Sequence, residues 1–515
     1  MQYPTIPLHD VMRATARRHP SRTAIWYNDR SLSFAEFDAE SNRLANALQE
    51  RGVRHGDRVG LFMPNCAEYE VSFYAVSKLG ASACPLSPSY RSFEVTYQLR
   101  DAGASVLITH ARLWNVVEGL REQLPTVRLF IVAGESVTTS HANVQVFDDL
   151  LREHPPDPPG EQVNLDDLAV LPYSSGTTGM PKGVMLTHRN LVCNHTQWGT
   201  AAGMTAEDMY MVYLPLSHIY GVGLMGLSMW AGATQLILER FDASIVTRML
   251  QEKPVTILFV VPPILQALLD TSGLTSSHFR NVRYVMSAAA PLAPELTNRF
   301  EEKFGVHVIQ GYGMTEASPD THHSPLQPAR IKRDSCGIPV SDTEQKIVDL
   351  EKGERTLGCG EVGEIIVRGP QVMRGYWNAT EETARTLRNG WLYTGDIGYI
   401  DKDGYLFVVD RKKEMIKCKA FSIAPAELEA LVWQHPDVAD CAVIGVPDPE
   451  AGEIPKAYVV PQSGKDIQIE ALAEWVNSRL AAYKAIRCWE IVAKIPRTPS
   501  GKILRRELKR SILGN

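Results

Sequence analysis

The residues best equipped for chemistry form one run, Tyr173-Ser174-Ser175-Gly176-Thr177-Thr178-Gly179-Met180-Pro181-Lys182-Gly183-Val184. Its glycines allow positive φ angles and let backbone N–H groups converge, and its hydroxyls and lysine add donors for anionic oxygens. The apolar stretch Leu168 to Pro172 precedes it, so the run leaves a buried strand. These are the requirements of a phosphate cradle. A P-loop is excluded, because Pro181 stands where that pattern places its second glycine. A Gly-rich surface turn is the alternative.

A second cluster, Gln310-Gly311-Tyr312-Gly313-Met314-Thr315-Glu316, follows the apolar Val306 to Ile309. Gly311 and Gly313 would let a flat ring approach the backbone, Tyr312 offers an aromatic face, and Thr315 and Glu316 carry oxygens suited to a phosphate and its Mg²⁺. By itself such a stretch also reads as a plain turn. Tyr393-Thr394-Gly395-Asp396 is equally two-sided: an Asp at a strand end either bonds ribose hydroxyls or closes an Asx-turn. Near the C-terminus, Arg497-Thr498-Pro499-Ser500-Gly501-Lys502 is either a basic helix start capped by Ser500 or a lysine presented to an anion beside a glycine hinge.

The elements that must position these residues are short apolar runs alternating with amphipathic stretches. Asp57 to Met63, Ala104 to Thr109 and Val282 to Met286 read as buried strands, and Ala67 to Leu79 as a helix. Ser33 and Glu36 match a capping box ahead of Phe37, Leu44 and Leu48. Strands alternating with helices predict an α/β chain whose large N-terminal domain is built of βαβ sheets. After Gly360 the texture changes: Glu364 to Arg368 and Tyr405 to Val409 are strands joined by turn signals, which predicts a smaller antiparallel subdomain. A charged run at 410–414, read as unpacked and so suited to a hinge, then leads to a small α+β segment, with a helix near Pro425 to His435, a strand at Cys441 to Val446 and a helix at Ile469 to Leu480. The expected domains are therefore 1–409, a junction at 410–414, and 415–515.

Composition narrows the function classes. Over 515 residues, 44% hydrophobic and 22% charged, disorder, collagen-like repeats and a small disulfide scaffold are excluded. With 53 Lys plus Arg against 59 Asp plus Glu, the net charge of −6 gives no field favouring nucleic acid. The Arg505–Arg506 and Lys509–Arg510 pairs, interrupted by Glu507, read as a solvated helix face. Eight scattered cysteines without a C-x-x-C argue against zinc and disulfides and for a reducing compartment. The N-terminus lacks the apolar core of a signal peptide, and Ile257 to Leu269, broken by Pro262 and Pro263, is too short for a bilayer. A cytoplasmic protein without a transmembrane segment is expected.

Taken together, Ser-Ser-Gly-Thr-Thr-Gly-x-Pro-Lys-Gly, Gly-Tyr-Gly-Met-Thr-Glu, Tyr-Thr-Gly-Asp and the late Ser-Gly-Lys resemble the adenylate-forming superfamily of acyl-CoA synthetases, luciferases and peptide-synthetase adenylation domains. The motifs run in family order from Ser33 to Lys502. The resemblance implies that a carboxylic acid is joined to the α-phosphate of ATP, pyrophosphate leaves, and the acyl group passes to a nucleophile. It implies ATP contacts at Ser174, Ser175, Gly176, Thr177, Thr178, Gly179 and Lys182 for the outer phosphates, with Met314 and Thr315 alongside. It places adenine between Ala288-Ala289-Ala290 and Gly311-Tyr312-Gly313, ribose on Asp396 and Arg411, and Mg²⁺ on Glu316. Lys502, Thr315 and Glu316 are the implied catalytic residues, Lys502 bridging acid and α-phosphate. The acid is expected near His218, Tyr220, Ser287, Ala288 and Gly311, with His218 either a substrate contact or a core histidine. The C-terminal domain is expected to swing about Lys413, withdrawing Lys502 and bringing Lys419-Ala420-Phe421 to the adenylate as an acceptor channel.

Two positions depart from the family pattern. Relatives that use CoA commonly carry glycine where this chain has Ala420, and glycine again where it has Asp334. The methyl of Ala420 would narrow a passage lined by backbone. CoA is the leading acceptor and an amine, as in an amide synthetase, the runner-up; a carrier protein also stays open. A non-catalytic nucleotide sensor is opposed by intact Lys182, Glu316, Asp396 and Lys502.

Overall fold

The computed structural model describes the chain except residues 135–140, 175–179, 413, 419–420, 449–450, 481–483, 499–500, 506 and 510–515, and the side chains of 417, 421, 422 and 452. The apolar runs Val106–His110, Leu129–Ala133 and Ile257–Val260 are buried along nearly their whole lengths. A strand apolar on both faces is stable only between two covering layers, as in a parallel sheet. Two such sheets form. The first orders its strands Ile338–Pro339, Asp320–His323, Val308–Gly313, Tyr284–Ser287, Ile257–Val260, Met209–Val212, Thr234–Ile237, Thr23–Tyr27 and Arg30–Ser33. Its centre, from Val308–Gly313 to Thr23–Tyr27, is parallel. The second has a parallel core of Leu168–Val170, Ser82–Pro85, Arg58–Phe62, Val106–His110, Leu129–Ala133 and Val144–Val146. Lys182–Thr187 adds to it antiparallel.

The covering helices follow from local chemistry. Ser33 Oγ accepts from the Glu36 N–H at 3.2 Å and the Glu36 carboxylate accepts from the Ser33 N–H at 2.8 Å, closing the capping box that starts helix Phe34–Glu50. A cap of this kind is worth about 1 kcal/mol. Helix Ile219–Ala231 is buried nearly all round and ends at Gly232 with φ 80°.

An antiparallel sheet follows, in the order Glu344–Val348, Gly363–Arg368, Trp391–Ile400, Leu387–Arg388, with Leu406–Arg411 against Trp391–Ile400. The last sheet pairs Phe421–Ile423, Ile416–Cys418, Gly452–Pro461, Val438–Asp448 and Cys488–Ile491. The main apolar cluster reaches Leu406, and a separate one spans Ile416 to Leu508. Fold class and element order agree with the sequence reading, with ends shifted by up to three residues, as where the helix expected to run to His435 stops at Val432.

Three expectations are corrected. The run at 410–414 is not an unpacked tether: Asp410 accepts from the Ala426 N–H at 2.9 Å, Arg411 pairs with Asp396, Lys412 with Glu364 and Glu414 with Arg505. Lys413 lies outside the described residues. Arg505 is not on a solvated face; its side chain is 15% exposed and clasped by Glu414 and Glu429. Asp396 does not end a strand but sits inside Trp391–Ile400, where Gly395 at φ 71° imitates a turn. Among the described residues no helix is long and apolar enough to cross a membrane, and all eight cysteines are free.

Candidate active site

In open α/β sheets, ligands bind beyond the carboxyl ends of parallel strands. Both sheets here aim those ends at one cleft of about 790 Å³. Ser82–Pro85 leads into Ser87, Ser89 and Tyr90, and Leu168–Val170 into Pro172 to Ser174. From the other sheet, Met209–Val212 leads to His218, Tyr284–Ser287 to Ala288 and Ala289, and Val308–Gly313 to Met314 to Glu316. The antiparallel sheet contributes Glu364, Tyr393 to Gly395 and Arg411, and the C-terminal segment contributes Thr498 and Lys502.

One limb of the cleft is polar. The Tyr173 hydroxyl donates to Asp101 at 2.6 Å and the Tyr97 hydroxyl to the Pro181 carbonyl at 2.9 Å, so both flanks of the Gly-rich run are anchored. Lys182 Nζ pairs with Glu382 at 2.8 Å and stands 5.7 Å from the Tyr376 ring centre. The Tyr376 hydroxyl in turn donates to Glu316 at 2.9 Å. Glu316 is 7% exposed, on the turn Thr315–Ala317. Asp396, 5% exposed, accepts from the Tyr312 hydroxyl at 2.7 Å and pairs with Arg411 at 3.0 Å. Burial and this carboxylate push the Tyr312 hydroxyl well above its usual range.

The other limb is largely apolar, walled by Trp198, Tyr220, Met286 and Pro319. His218 caps helix Ile219–Ala231 by accepting from the Tyr220 N–H at its Nδ1, 3.2 Å away. That bond assigns the ring proton to Nε2. Burial, with the Lys502 cation adding to it, lowers the His218 pKa to about 4, so the ring is a neutral donor. Lys502 is carried on a turn in which the Gly501 N–H donates to Thr498 O at 2.8 Å and the Lys502 N–H to Thr498 Oγ1 at 3.1 Å. Gly501 has φ 82°, and a Cβ there would lie 3.1 Å from Pro263, so this turn is seated on the large domain. A cation, a neutral donor, a carboxylate and an aromatic slot thus converge from segments far apart in sequence, an arrangement able to bring two anions together.

The chain was compared with known proteins. The family model described as AMP-binding enzyme matches residues 12–377, and that of its C-terminal domain matches residues 427–502. The chain belongs to the AMP-binding enzyme family. It is similar to 4-coumarate--CoA ligase 1 of Solanum tuberosum, 38% identical over 98% of this chain and 93% of the relative. A similar relative is 4-coumarate--CoA ligase 3 of Arabidopsis thaliana, 38% identical over 93% and 86%. Among solved structures, an anthranilate CoA ligase in complex with anthranoyl-AMP superposes with TM-score 0.91 at 30% identity, covering 99% of both chains. The o-succinylbenzoate CoA synthetase of Bacillus subtilis with ATP and magnesium gives 0.84 at 31%, covering 97% of this chain and 99% of that one.

Most positions expected to serve an AMP-binding enzyme meet in the cleft: Ser174, Lys182, His218, Tyr220, Ala288, Ala289, Gly311 to Glu316, Arg411 and Lys502. Asp396 stands behind Tyr312 and Arg411 rather than on the wall. Ser287 is 1% exposed within its strand, and neither it nor Ala290 borders the cleft. Asp334 is exposed and away from the cleft. Ser175, Gly176, Thr177, Thr178, Gly179, Lys413, Lys419 and Ala420 lie outside the described residues, as does the Phe421 side chain.

Gly313 has another reason than ligand approach: a Cβ there would meet the Pro319 carbonyl oxygen at 2.2 Å, whereas one on Gly311 would first meet the movable methyl of Met286, at 2.3 Å. Sequence reasoning missed Trp198, Asp320, Tyr376 and Glu382, which all line the cleft. Only Asp320 left a trace, as an acidic residue four positions after Glu316 in the same stretch.

Proposed function

We propose that the chain is an AMP-forming acid–thiol ligase acting on an aryl carboxylic acid. A carboxylate oxygen attacks the α-phosphorus of ATP, the bond to pyrophosphate breaks, and acyl-AMP results. The thiol sulfur of CoA then attacks the acyl carbon, AMP leaves, and the thiol proton is released. The observation that carries this reading is the convergence of Lys502, His218 and the Gly311–Glu316 turn on one cleft whose second limb is apolar. The 4-coumarate--CoA ligases of Solanum tuberosum and Arabidopsis thaliana, to which the chain is similar, support the acceptor and the acid class.

In this reading the residues divide the electrostatic work. Negative charge gathers on the phosphoryl oxygens as the carboxylate approaches, and Lys502 meets it from the acid side while Lys182 holds the outer phosphates. The neutral Nε2–H of His218 donates to the acid. Tyr312 stacks on adenine, and Asp396 with Arg411 takes the ribose hydroxyls. Glu316, buried, bordering the cleft and taking one side-chain hydrogen bond from the described residues, fits a Mg²⁺ ligand. That ion would neutralise phosphate charge; among the described residues no group of three or more metal-binding side chains exists, which suits a metal carried chiefly by the nucleotide.

The domain unit 415–515 acts as a lid hinged at Lys413, a division supported by the separate apolar cluster from Ile416 onward. The eight free cysteines suit a cytoplasmic setting. Ala420, outside the described residues, stands where relatives that use CoA commonly carry glycine, and this substitution favours amide formation as a second reading. AMP release and product mass, measured with a panel of aryl acids and either CoA or an amine pool, test both. Thioester is expected; amide alone would reverse the acceptor, and no AMP with any acid would overturn the reading. Ala420→Gly raises thioester yield if the path is narrowed.

A further inference from the structure

Among the described residues, Asp320 is the one acidic residue on the apolar limb. It is 4% exposed and opens strand Asp320–His323. Its N–H donates to Asn194 Oδ1 at 3.1 Å and its carbonyl accepts from Asn194 Nδ2 at 2.7 Å, so the backbone is pinned whatever the side chain does. The carboxylate takes no hydrogen bond from any described residue, and Oδ2 is fully enclosed without a partner. Oδ1 lies 3.6 Å from the point where a Cβ on Gly311 would stand, on the cleft wall beside Trp198, Tyr220, Met286 and Pro319.

Two neighbours on that wall share the condition. Tyr220 Oη and Trp198 Nε1 are also buried without partners among the described residues, on rings whose centres are 5.7 Å apart. Unpartnered buried polar atoms cost about 1–3 kcal/mol each. Native folds retain few of them and tend to do so where something else completes them. Other unpartnered atoms, such as the hydroxyls of Tyr69 and Tyr74, belong to residues that do not border the cleft. What distinguishes Asp320 is a carboxyl with open acceptor capacity on the cleft wall, facing the space left for a substrate. Burial pushes its carboxyl well above the usual carboxylate range.

We infer that Asp320 is a specificity-determining residue that accepts a hydrogen bond from a donor group, an amine or a hydroxyl, on the body of the acid. The assignment rests on the acid-activating reading above and names the class of acid within it. Lys502 holds the reacting carboxylate at one end of the substrate and Asp320 reads a donor on the rest of it. A methyl group at the same place strands the carboxyl in apolar surroundings, and a methoxy group offers its acceptor oxygen no donor. Sites built to bond a polar substituent reject analogues lacking it far more strongly than apolar pockets reject a wrong shape.

The test uses the unaltered full chain with Mg-ATP, CoA and 3-phenylpropenoic acids carrying hydroxyl, amino, methoxy or methyl at each ring position, read as AMP release. At one ring position the hydroxyl or amino acid is expected to exceed its methoxy and methyl counterparts by about tenfold or more in kcat/KM. The hydroxyl and amino arms separate the two donors. Asp320→Leu is expected to bring that ratio to within about twofold, and Asp320→Asn, which keeps an acceptor, to retain most of it. AMP release without donor preference in the wild type overturns the assignment alone, even if the variants do not fold. A donor preference unchanged in Asp320→Leu also overturns it. Absence of AMP with every acid overturns the activating reading and this assignment with it.

Discussion

Lys182 and Glu382 face each other across the mouth of the cleft at 2.8 Å, so the lysine assigned to the outer phosphates already holds a carboxylate. Glu382 belongs to the short helix Thr380–Thr386, and the pairing with Lys182 draws its pKa below the ordinary carboxylate value against a smaller opposing effect of burial. Phosphate must displace it. Both side chains are partly exposed, at 24% and 37%, and pairs of that kind contribute about 0.2–1 kcal/mol. Glu382→Gln should therefore lower the KM for ATP by about 1.4- to 5-fold with little change at saturating ATP. Steady-state kinetics at varied ATP decide it, and an unchanged or raised KM would show that Glu382 does not compete.

The turn that carries Lys502 is fastened by Arg497, whose Nη1 donates to Gly501 O at 2.9 Å and whose Nη2 pairs with Asp440 at 2.6 Å. Removing the ammonium should leave this scaffold standing. Lys502→Ala should cut acid-dependent exchange of pyrophosphate into ATP by about 100-fold or more, the loss typical of one removed charge-stabilising group, with an unaltered melting curve. Exchange at the wild-type rate would remove Lys502 from the adenylation step.

Gly313 tests packing against ligand approach. Its Cβ would fall 2.2 Å from the Pro319 carbonyl oxygen and 3.2 Å from Asp320 Cα, backbone atoms that cannot swing aside. Gly313→Ala should cost about 1–3 kcal/mol and displace the wall bearing Asp320. Gly119 has φ −71° and open space around its Cβ position, so Gly119→Ala should be neutral or slightly stabilising. Chemical denaturation of the two variants provides the comparison; equal stabilities would contradict the clash.

What the sequence could reveal depended on how local the determining physics was. The strands at 58–62 and 106–110 and the capping box at Ser33 were legible because burial on both faces and cap chemistry are written in consecutive residues. The motif turns were legible because a glycine beside hydroxyls and a cation at a strand end is itself a local signal. Arg505 was misread because its partners Glu414 and Glu429 are 91 and 76 positions away, and a basic cluster read alone resembles a solvated face. Trp198 and Tyr376 border the cleft only because separate helices and strands bring them there; a tryptophan in a buried helix or a tyrosine after glycine carries no chemical spacing of its own.

Glu70 supplies a prediction about pH that is independent of the cleft. It is 0% exposed on helix Ala67–Lys78, receives one hydrogen bond from Gln235 Nε2 at 3.0 Å, and leaves Oε1 without a partner among the described residues. Burial raises its pKa from 4.5 to about 8, the Gln235 bond opposing this weakly. Between those values the folded chain keeps a proton that the unfolded chain has released, so its contribution to stability, complete below pH 4.5, is lost progressively as pH rises to about 8. Lys78 on the same helix is lowered to about 8 by burial, and acts only above that pH, where deprotonation relieves the fold. Melting temperatures across pH 5–8 should therefore fall more steeply in the wild type than in Glu70→Gln, which is neutral throughout and keeps an acceptor for Gln235. Parallel curves for the two proteins would mean that Glu70 is ionised in the native state and that the interior around Tyr74 and Tyr210 is wetter than its burial implies.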